Sequence, residues 1–305
     1  MNADNAIGIA EAAARIRAGD VVAFPTETVY GLGANALDSE AVRKVFELKG
    51  RPQTSPLIVH VSSVEMARSV VAGWPPLAEE LAARFWPGPL TLVLPKKNII
   101  PDIVTAGLPT VGVRMPDHPL ALALIEQAGV PIAAPSANRF TAVSPTTAEH
   151  VRAAFGDAVP VLDGGAAKVG IESTVVAIEN GKLKLLRPGM ISLGELEQQA
   201  AGPGAHAAPG MHARHYSPRT PVLLVEHPRE LPDRAGAYLF RKKSGIVSRC
   251  IRMPASPAEY GARLYAALHE LDQEGWPWIG VELPPHTPEW AAIRDRLERA
   301  RGKVS

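Results

Sequence analysis

The first 200 residues alternate short apolar runs with segments whose apolar residues recur at helical spacing. A short apolar run between turn residues is typical of a buried strand. The predicted strands are residues 21–24, 57–61, 90–94, 111–114, 132–134, 159–162, 174–178 and 183–186. Because helix and strand alternate, this part is predicted to be α/β.

Capping residues mark where the predicted helices begin and end. Residues 7–18 form a helical pattern that Gly19 ends. Ser39 is predicted to cap the next helix, which ends at Gly50, and Asp117 to cap a helix over residues 119–128. These assignments follow the preference for hydroxyl or carboxyl side chains at helix starts and glycine after helix ends.

Composition shifts after residue 200. Residues 200–221 are rich in Ala, Gly, Pro and His and are predicted to be a linker. Strands at 222–225, 237–240, 250–253 and 278–283 and helices at 256–274 and 288–301 follow, which predicts a small, mostly parallel, Rossmann-like sheet. The expected domains are a catalytic domain (1–200), a linker or lid (201–220) and a C-terminal α/β domain (221–305).

The totals exclude several classes of protein. With 305 residues, 46% hydrophobic and 21% charged, the chain can bury a full core. Its formal charge of +1 gives no argument for general nucleic-acid binding. The single cysteine, Cys250, excludes an internal disulfide and a cysteine-rich metal site. No run approaches the roughly 20 apolar residues of a membrane span, so we expect a cytoplasmic protein without a membrane contact.

The stretch after the first predicted strand carries candidate chemistry. Thr26, Glu27 and Thr28 follow the apolar run directly, and Gly31 and Gly33 allow a sharp turn or the close approach of a ligand. In α/β proteins a strand that ends in polar residues commonly presents a small-molecule site. The alternative is a plain strand-to-helix turn. The match to a dinucleotide-binding glycine pattern is weak, because no acidic residue ends the next strand.

Two pairs of polar residues have the same spacing. Lys49 and Arg51, if their backbone is extended, point the same way and could clamp a polyphosphate; alternatively they complement a helix C-terminus. Ser136 and Asn138 follow the strand at 132–134, and Ser144 precedes a helix start that could hold an anion. The alternative for this second group is turn and capping chemistry.

Further candidates follow predicted strands. Arg114 ends the strand at 111–114 and, if buried, needs an acidic partner from the protein or a ligand. Ser173 and Arg187 flank the hairpin predicted by Asn180-Gly181, although a strand residue and a surface arginine are the simpler interpretations. No metal site is predicted, since the linker histidines lack carboxylate support.

Taken together, these stretches resemble the YrdC-domain family, in particular its two-domain threonylcarbamoyl-adenylate synthases. The matching segments are PTETVYGLG (25–33), KGRP (49–52), SPLIVH (55–60), WPGPLT (86–91), VRMP (113–116), APSAN (134–138), SPT (144–146), ESTV (172–175) and LRPG (186–189). PGM (209–211) and HYSP (215–218) match the linker of the longer members. The resemblance covers residues 7 to 200 closely and the tail beyond 221 in outline. It implies a YrdC-like α/β fold, a twisted open mixed sheet with flanking helices, followed by a smaller Rossmann-like α/β domain.

The resemblance implies an enzyme that makes threonylcarbamoyl-AMP and pyrophosphate from L-threonine, bicarbonate or CO2, and ATP, with Mg²⁺ on the phosphates. Its product would pass to a tRNA threonylcarbamoyl transferase. The implied catalytic residues are Lys49, Arg51, Ser136 and Asn138. The implied threonine-binding residues are Thr28, His60, Arg114, Ala134 and Ser173. The implied nucleotide-binding residues are Arg51, Ser55, Thr110, Ser136, Ser144, Arg187 and Tyr216.

Two alternative functions stay open at this point. The first is a YrdC-like RNA-binding protein without synthase activity, for which a weak RNA contact would suffice; the near-neutral charge and the lack of an aromatic and basic RNA motif argue against it. The second is another carbamoyl transfer, as in hydrogenase-maturation enzymes, which carry zinc-finger cysteines that this chain lacks.

Overall fold

An eight-stranded mixed sheet organises the N-terminal part of the chain. The computed structural model describes residues 7–197, 216–232, 235–242 and 247–301. Its N-terminal elements are α1 (Ile9–Arg17), β1 (Val22–Phe24), β2 (Gly31–Asn35), α2 (Ser39–Lys49), β3 (Ile58–His60), α3 (Val64–Val70), α4 (Pro76–Phe85), β4 (Leu90–Pro95), α5 (Asp102–Thr105), β5 (Thr110–Arg114), α6 (Pro119–Ala128), β6 (Ile132–Ala134), α7 (Ala148–Phe155), β7 (Thr174–Glu179), β8 (Lys182–Arg187) and α8 (Leu193–Glu197).

The strand order is β1-β2-β6-β3-β5-β4-β7-β8. The pairs β3–β5 and β4–β7 are parallel, and the other neighbouring strands run antiparallel. Separate apolar clusters pack the helices onto this sheet. One contains Leu81 of α4 and Val59 of β3, and another contains Ile16 of α1 and Leu124 of α6. The predicted mixed sheet with flanking helices is therefore confirmed.

The glycine-rich stretch is a strand, so the sharp turn that is one of the two expectations for Gly31 and Gly33 is wrong. Gly31 and Gly33 lie on β2, which pairs antiparallel with β1. A Cβ atom on Gly33 would lie 2.7 Å from Cε1 of Phe24 and 2.7 Å from Cγ2 of Ile132. Glycine is needed here because those two side chains fill the space above the strand.

Three other local predictions are wrong in detail. Residues 159–162 form no regular strand, and Val161 makes one isolated bridge with Ala23. Helix α2 is capped by Asp38, whose carboxylate accepts two backbone N–H groups. Helix α6 is capped by the His118 ring and not by Asp117. In both helices the residue adjacent to the predicted cap has the extended backbone that capping requires.

The hairpin of β7 and β8 forms as predicted. Asn180 and Gly181 have φ angles of 52° and 72°, and the two strands pair antiparallel from Val175 with Arg187 to Glu179 with Lys182. Two consecutive positive φ angles are typical of the tight turn that Asn-Gly favours. This hairpin carries Arg187 at the end of β8, beside Ser173 at the start of β7.

The C-terminal part forms a second, smaller sheet. Its elements are β9 (Val222–Val225), β10 (Ala237–Phe240), β11 (Arg249–Arg252), α9 (Pro257–Glu274), β12 (Ile279–Glu282) and α10 (Ala291–Arg301). The order is β11-β10-β12-β9, and every neighbouring pair is parallel, as the alternation of helices and strands predicts. Helix α9 begins after its cap Ser256 and ends at Gly275.

Helix α9 packs closely against the N-terminal part of the molecule. A Cβ atom on Gly170 would lie 2.5 Å from Cα of Ala262, so the two backbones meet where neither has room for a larger residue. The linker predicted before this domain lies outside the described residues up to residue 215. Within the described part of the chain, no helix is long and apolar enough to cross a membrane.

Candidate functional site

A cavity of about 540 Å³, counted to its open mouth, lies where several strands of the large sheet end. It brings together residues from distant parts of the sequence. The predicted site residues that line it are Thr28, Arg51, His60, Arg114, Ala134, Ser136, Ser173, Arg187 and Tyr216. Since these residues belong to different strands and loops, only the fold makes one site of them.

Five predicted residues do not line this cavity. Lys49, Asn138, Ser55 and Ser144 are buried beside it. Thr110 lines a neighbouring cavity of about 290 Å³ that shares Pro56, Leu57 and Ile58 with the first. The two cavities therefore adjoin along the segment that connects α2 to β3.

Lys49 is attached to the loop after β6. Its Nζ donates to the carbonyl oxygens of Ser136 at 2.5 Å and Asn138 at 2.6 Å. The Nδ2 of Asn138 in turn donates to the carbonyl oxygens of Arg139 and Ala142. The extended backbone expected from Lys49 to Arg51 is wrong, because Gly50 ends α2 with a φ of 63°. Lys49 consequently turns inward while Arg51 lines the cavity.

Arginines dominate the charge of the cavity wall. Arg51, Arg114 and Arg187 line it, whereas Glu172 is the carboxylate among its lining residues. Burial lowers the pKa of Arg51 to about 10. Two smaller influences oppose each other, since Tyr216 raises this pKa and the charge of Arg187 lowers it. The Nε of Arg51 is buried without a hydrogen-bond partner. A cavity with this excess of positive charge suits an anionic ligand.

Arg114 has the acidic partner that its burial requires. Its Nη2 lies 2.7 Å from Oε1 of Glu27, although the pair is not aligned as a hydrogen bond. Its Nε donates to the carbonyl oxygen of Gly88 at 3.3 Å. The adjacent His60 ring is buried, and burial together with the Arg114 charge lowers its pKa to about 3. His60 is therefore neutral, and its Nδ1 has no hydrogen-bond partner.

A chain of short contacts connects Arg187 to the sheet. Its Nε and Nη2 donate to the carbonyl oxygen of Ser173 at 3.0 and 2.9 Å, and Nη2 also contacts the Ser173 hydroxyl. That hydroxyl lies 2.7 Å from the hydroxyl of Thr91. The hydroxyls of Thr26 and Thr28, which also line the cavity, lie 2.8 Å apart. The cavity lining thus combines hydroxyl and guanidinium groups.

Residues of the C-terminal domain contact two residues that line the cavity, Glu172 and Tyr216. Oε2 of Glu172 accepts from Nε of Arg296 at 2.8 Å and from the Tyr265 hydroxyl at 3.1 Å. Oε1 of Glu172 accepts from the Ser144 hydroxyl at 2.6 Å. The Tyr216 ring stacks on Tyr265, with ring centroids 5.8 Å apart. Sequence reasoning identified none of Glu172, Tyr265 and Arg296 as site residues, because no local pattern sets the latter two apart from other helix residues.

The described residues contain no group of three or more His, Cys, Asp or Glu side chains that could hold a metal ion. Glu172 and Glu27 are each paired with an arginine, Arg296 and Arg114 respectively. A cation at this cavity would therefore depend on oxygen ligands brought by a bound anion.

An α/β fold with an arginine-lined cavity at its strand ends defines a protein that binds small anionic molecules. Comparison with known proteins is more specific. The Sua5/YciO/YrdC family model, described as telomere recombination, matches residues 14–189. A second model, described as the C-terminal domain of threonylcarbamoyl-AMP synthase, matches residues 174–302. The chain belongs to the Sua5/YciO/YrdC family.

Relatives match over nearly the whole chain. The chain is 42% identical over 316 residues to a threonylcarbamoyl-AMP synthase of Pyrococcus abyssi, which covers 95% of this chain and 93% of that protein. It is 42% identical over 324 residues to the threonylcarbamoyl-AMP synthase of Bacillus subtilis, with coverages of 96% and 93%. The crystal structure of P. abyssi Sua5 complexed with L-threonine superposes with a TM-score of 0.88 at 41% identity, covering 96% and 94% of the two chains.

Proposed function

We propose that this chain is a threonylcarbamoyl-AMP synthase, a nucleotidyltransferase that uses L-threonine, bicarbonate or CO2, and ATP. The observation that supports this function best is the convergence of Arg51, Arg114 and Arg187 with the hydroxyls of Thr28, Ser136 and Ser173 around one cavity. An enzyme of this kind has to hold a zwitterionic amino acid and a triphosphate in contact and to screen their charges.

The reaction has two bond-forming steps. The amine nitrogen of threonine forms a bond to the carbon of CO2 and loses a proton, which gives a carbamate. A carbamate oxygen then attacks the α-phosphorus of ATP, and the bond from that phosphorus to the bridging oxygen breaks. Pyrophosphate leaves with that oxygen, and threonylcarbamoyl-AMP remains. Negative charge develops on the pyrophosphate, so cations near the phosphates would stabilise the transition state.

Threonine would bind at the side of the cavity formed by Thr28, His60, Arg114, Ala134 and Ser173. Arg114 would meet its carboxylate, since a guanidinium recognises a carboxylate through paired hydrogen bonds. His60 is neutral at physiological pH, as its lowered pKa requires. It could therefore accept a hydrogen bond from the substrate through its unpartnered Nδ1.

ATP would bind at the side of Arg51, Ser55, Thr110, Ser136, Ser144, Arg187 and Tyr216. Arg51 would contact the phosphates, because its Nε is buried and has no partner. Lys49 and Asn138 would act together, as Lys49 joins the carbonyl groups on either side of Ala137. Their role would be to hold the loop that presents Ser136 to the reacting groups.

Mg²⁺ would reach the site on the phosphates of ATP. When bound there it would neutralise part of the negative charge that develops during the reaction. Glu27 and Glu172 are each paired with an arginine. In the described part of the site the phosphate oxygens would therefore be the main ligands of the ion, which supports this mode of binding. The ion would require no dedicated cage of protein side chains.

The product would be consumed by a transferase that modifies tRNA to threonylcarbamoyladenosine. A weak contact of this chain with RNA would show as an affinity that falls steeply with salt.

Residues 1–200 would form the catalytic domain, 201–220 a lid and 221–305 the C-terminal domain.

The test is pyrophosphate release from ATP and Mg²⁺, with and without L-threonine and bicarbonate. We expect release that requires both, together with an adenylate product that contains threonine. Release without threonine would indicate a different nucleotidyl transfer. RNA binding without any release would reject the synthase function.

A further inference from the structure

Arg296 connects the C-terminal domain to three parts of the cavity wall. It lies on α10, and its side chain is fully buried. Its Nε donates to Glu172, its Nη2 donates to the carbonyl oxygen of Pro188 at 3.0 Å, and its guanidinium carbon lies 5.2 Å from the centre of the Tyr216 ring. Pro188 directly follows Arg187, so one guanidinium contacts Glu172, Tyr216 and the backbone beside Arg187.

Glu172 is the group on which these contacts converge. Its two carboxylate oxygens accept from Ser144, Tyr265 and Arg296. Burial alone would raise the pKa of this carboxyl, but Arg296 and then Arg187 outweigh burial and lower it to about 2. Glu172 is therefore a permanent anion in a cavity that otherwise suits anionic ligands.

A negative charge at Glu172 would weaken the binding of a triphosphate nearby. Two unit charges of the same sign that are buried close together repel strongly, because the protein interior screens them poorly. Arg296, which lies on α10 with its Nε 2.8 Å from Oε2 of Glu172, offsets that negative charge. Without Arg296, the Glu172 carboxylate would attract the nearby Arg187 instead, whose charge already influences it. Arg187 would then be less available to a phosphate.

Tyr216 depends on the same arginine. Its ring stacks on the Tyr265 ring and contacts the Arg296 guanidinium, both from the C-terminal domain. The adjacent Ser217 donates from its backbone N–H to the carbonyl oxygen of Thr141 and from its hydroxyl to the carbonyl oxygen of Ala300. The segment that brings Tyr216 to the cavity is thus held by the C-terminal domain on one side and the loop after β6 on the other.

We propose that Arg296 is a positioning residue of the nucleotide subsite: it neutralises and orients Glu172 and supports Tyr216, so that the C-terminal domain completes the ATP site without touching ATP. This inference rests on the proposed function and assigns a role to the C-terminal domain. It predicts an effect on ATP binding that threonine binding does not share, because Arg296 contacts Tyr216 directly and Ser144 through Glu172, and both belong to the proposed nucleotide subsite.

The experiment measures ATP affinity and L-threonine affinity separately, by calorimetry, in the full-length protein. The variants are Arg296→Met, Glu172→Gln and their double mutant. Arg294→Met is the matched control, because Arg294 lies on the same helix and donates to the carbonyl oxygen of Pro284 within its own domain. Urea unfolding of each variant records stability independently.

We expect Arg296→Met to weaken ATP binding about tenfold, or about 1.4 kcal/mol, with threonine affinity within about twofold of the wild type. Adding Glu172→Gln should recover at least half of the lost ATP binding energy, since the uncompensated charge is then gone. Arg294→Met should leave both affinities unchanged. A double mutant no better than Arg296→Met, or equal losses for ATP and threonine, would overturn the proposal.

If Arg296→Met does not fold, Arg296→Lys decides the question. Lysine keeps the charge but cannot span Glu172, Asp295 and Pro188 at once. ATP affinity must then fall more than threonine affinity, and equal changes would again overturn the proposal. A wild-type protein that binds no ATP and releases no pyrophosphate would instead reject the proposed function, whatever the variants do.

Discussion

Nη2 of Arg114, which lines the cavity, lies 2.7 Å from Oε1 of Glu27, and both side chains are buried. Glu27 follows β1, whereas Arg114 ends β5, so the ion pair connects the glycine-rich hairpin to the centre of the large sheet. Arg114 is held in place before any ligand arrives. A prealigned cation loses little conformational entropy when it binds a carboxylate.

The first prediction concerns Arg114 as a ligand of threonine. Arg114→Ala should raise the KM for threonine far more than the KM for ATP, because a bidentate contact with the amino-acid carboxylate is lost. It should also lower stability by about 3–5 kcal/mol, since Glu27 is left as an uncompensated buried charge. Steady-state pyrophosphate release and urea unfolding measure the two effects.

The double mutant Glu27→Gln/Arg114→Ala separates binding from stability. It should regain much of the lost stability, because no unpaired charge remains, while the KM for threonine stays high. Recovery of a normal threonine KM in the double mutant would show that Arg114 acts only by holding the strand end.

The second prediction distinguishes Lys49 from Arg51, which the sequence treats as one pair. Arg51→Ala should keep the fold and lose about 1.5–3 kcal/mol of transition-state stabilisation, or roughly 10- to 150-fold in kcat/KM. Lys49→Ala should also abolish most synthesis, but with a drop in the melting temperature, since two buried carbonyl groups lose their donor. Thermal unfolding and an activity assay, each applied to both variants, measure these effects. Equal melting temperatures of the two variants would contradict this division of roles.

The sequence predicts best where local chemistry decides the structure. Asn180-Gly181 selects a tight hairpin, and Ser256 with Gly275 delimits α9, because turn and capping preferences act over a few residues. The strand β2 escapes prediction since glycines carry no side chain to show a period. Gly33 is explained only by Phe24 and Ile132, which are distant in sequence and meet it in the folded protein.

The same distinction applies to the site. Motif residues such as Arg51, Ser136 and Arg187 are identified by resemblance and meet in one cavity. Arg296 lies on the buried face of α10 with Ile293 and Leu297, so helical spacing could have indicated its burial. Its contact with Glu172 depends on how two domains pack, which a sequence pattern does not encode.

The third prediction is a loss of stability in mild acid. His150 of α7 and His269 of α9 stack across the domain contact with ring centroids 3.9 Å apart. Burial, followed by the adjacent His269 ring, lowers the pKa of His150 to about 4, and burial lowers that of His269 as well. A depressed histidine pKa means that the unfolded chain binds more protons, so stability is full above about pH 6.5 and falls as pH drops towards 4.

Chemical denaturation at pH 7.5 and pH 5 measures this effect. We expect a loss of roughly 1–2 kcal/mol for the pair after allowing for the partial exposure of His150. His269→Gln keeps an N–H donor for the carbonyl oxygen of Ser144 and removes one titrating ring. It should be less sensitive to acid than the wild type. The same pH dependence in both proteins would mean that other groups cause the loss.

The last prediction concerns the lid expected over residues 209–218, with bends at Gly204 and Gly210. Residues up to 215 lie outside the described part of the chain, but Tyr216 lines the cavity with 1% of its surface exposed and a φ of 61°. A non-glycine residue in this left-handed region costs free energy, which the surrounding contacts have to offset. The Tyr216 ring packs against Tyr265 and Arg296, an arrangement suited to closing the site against water.

Tyr216→Ala should therefore expose the adenylate product to hydrolysis while it is still in the site. Pyrophosphate release should continue at a reduced rate, while the yield of intact threonylcarbamoyl-AMP per pyrophosphate falls several-fold, because water reaches the adenylate before it leaves. Tyr216→Phe keeps the ring and should preserve the yield. Chromatographic measurement of both products tests this directly. If Tyr216→Ala and the wild type give the same ratio of adenylate to pyrophosphate, the segment is a passive tether, and Tyr216 contributes to nucleotide affinity alone.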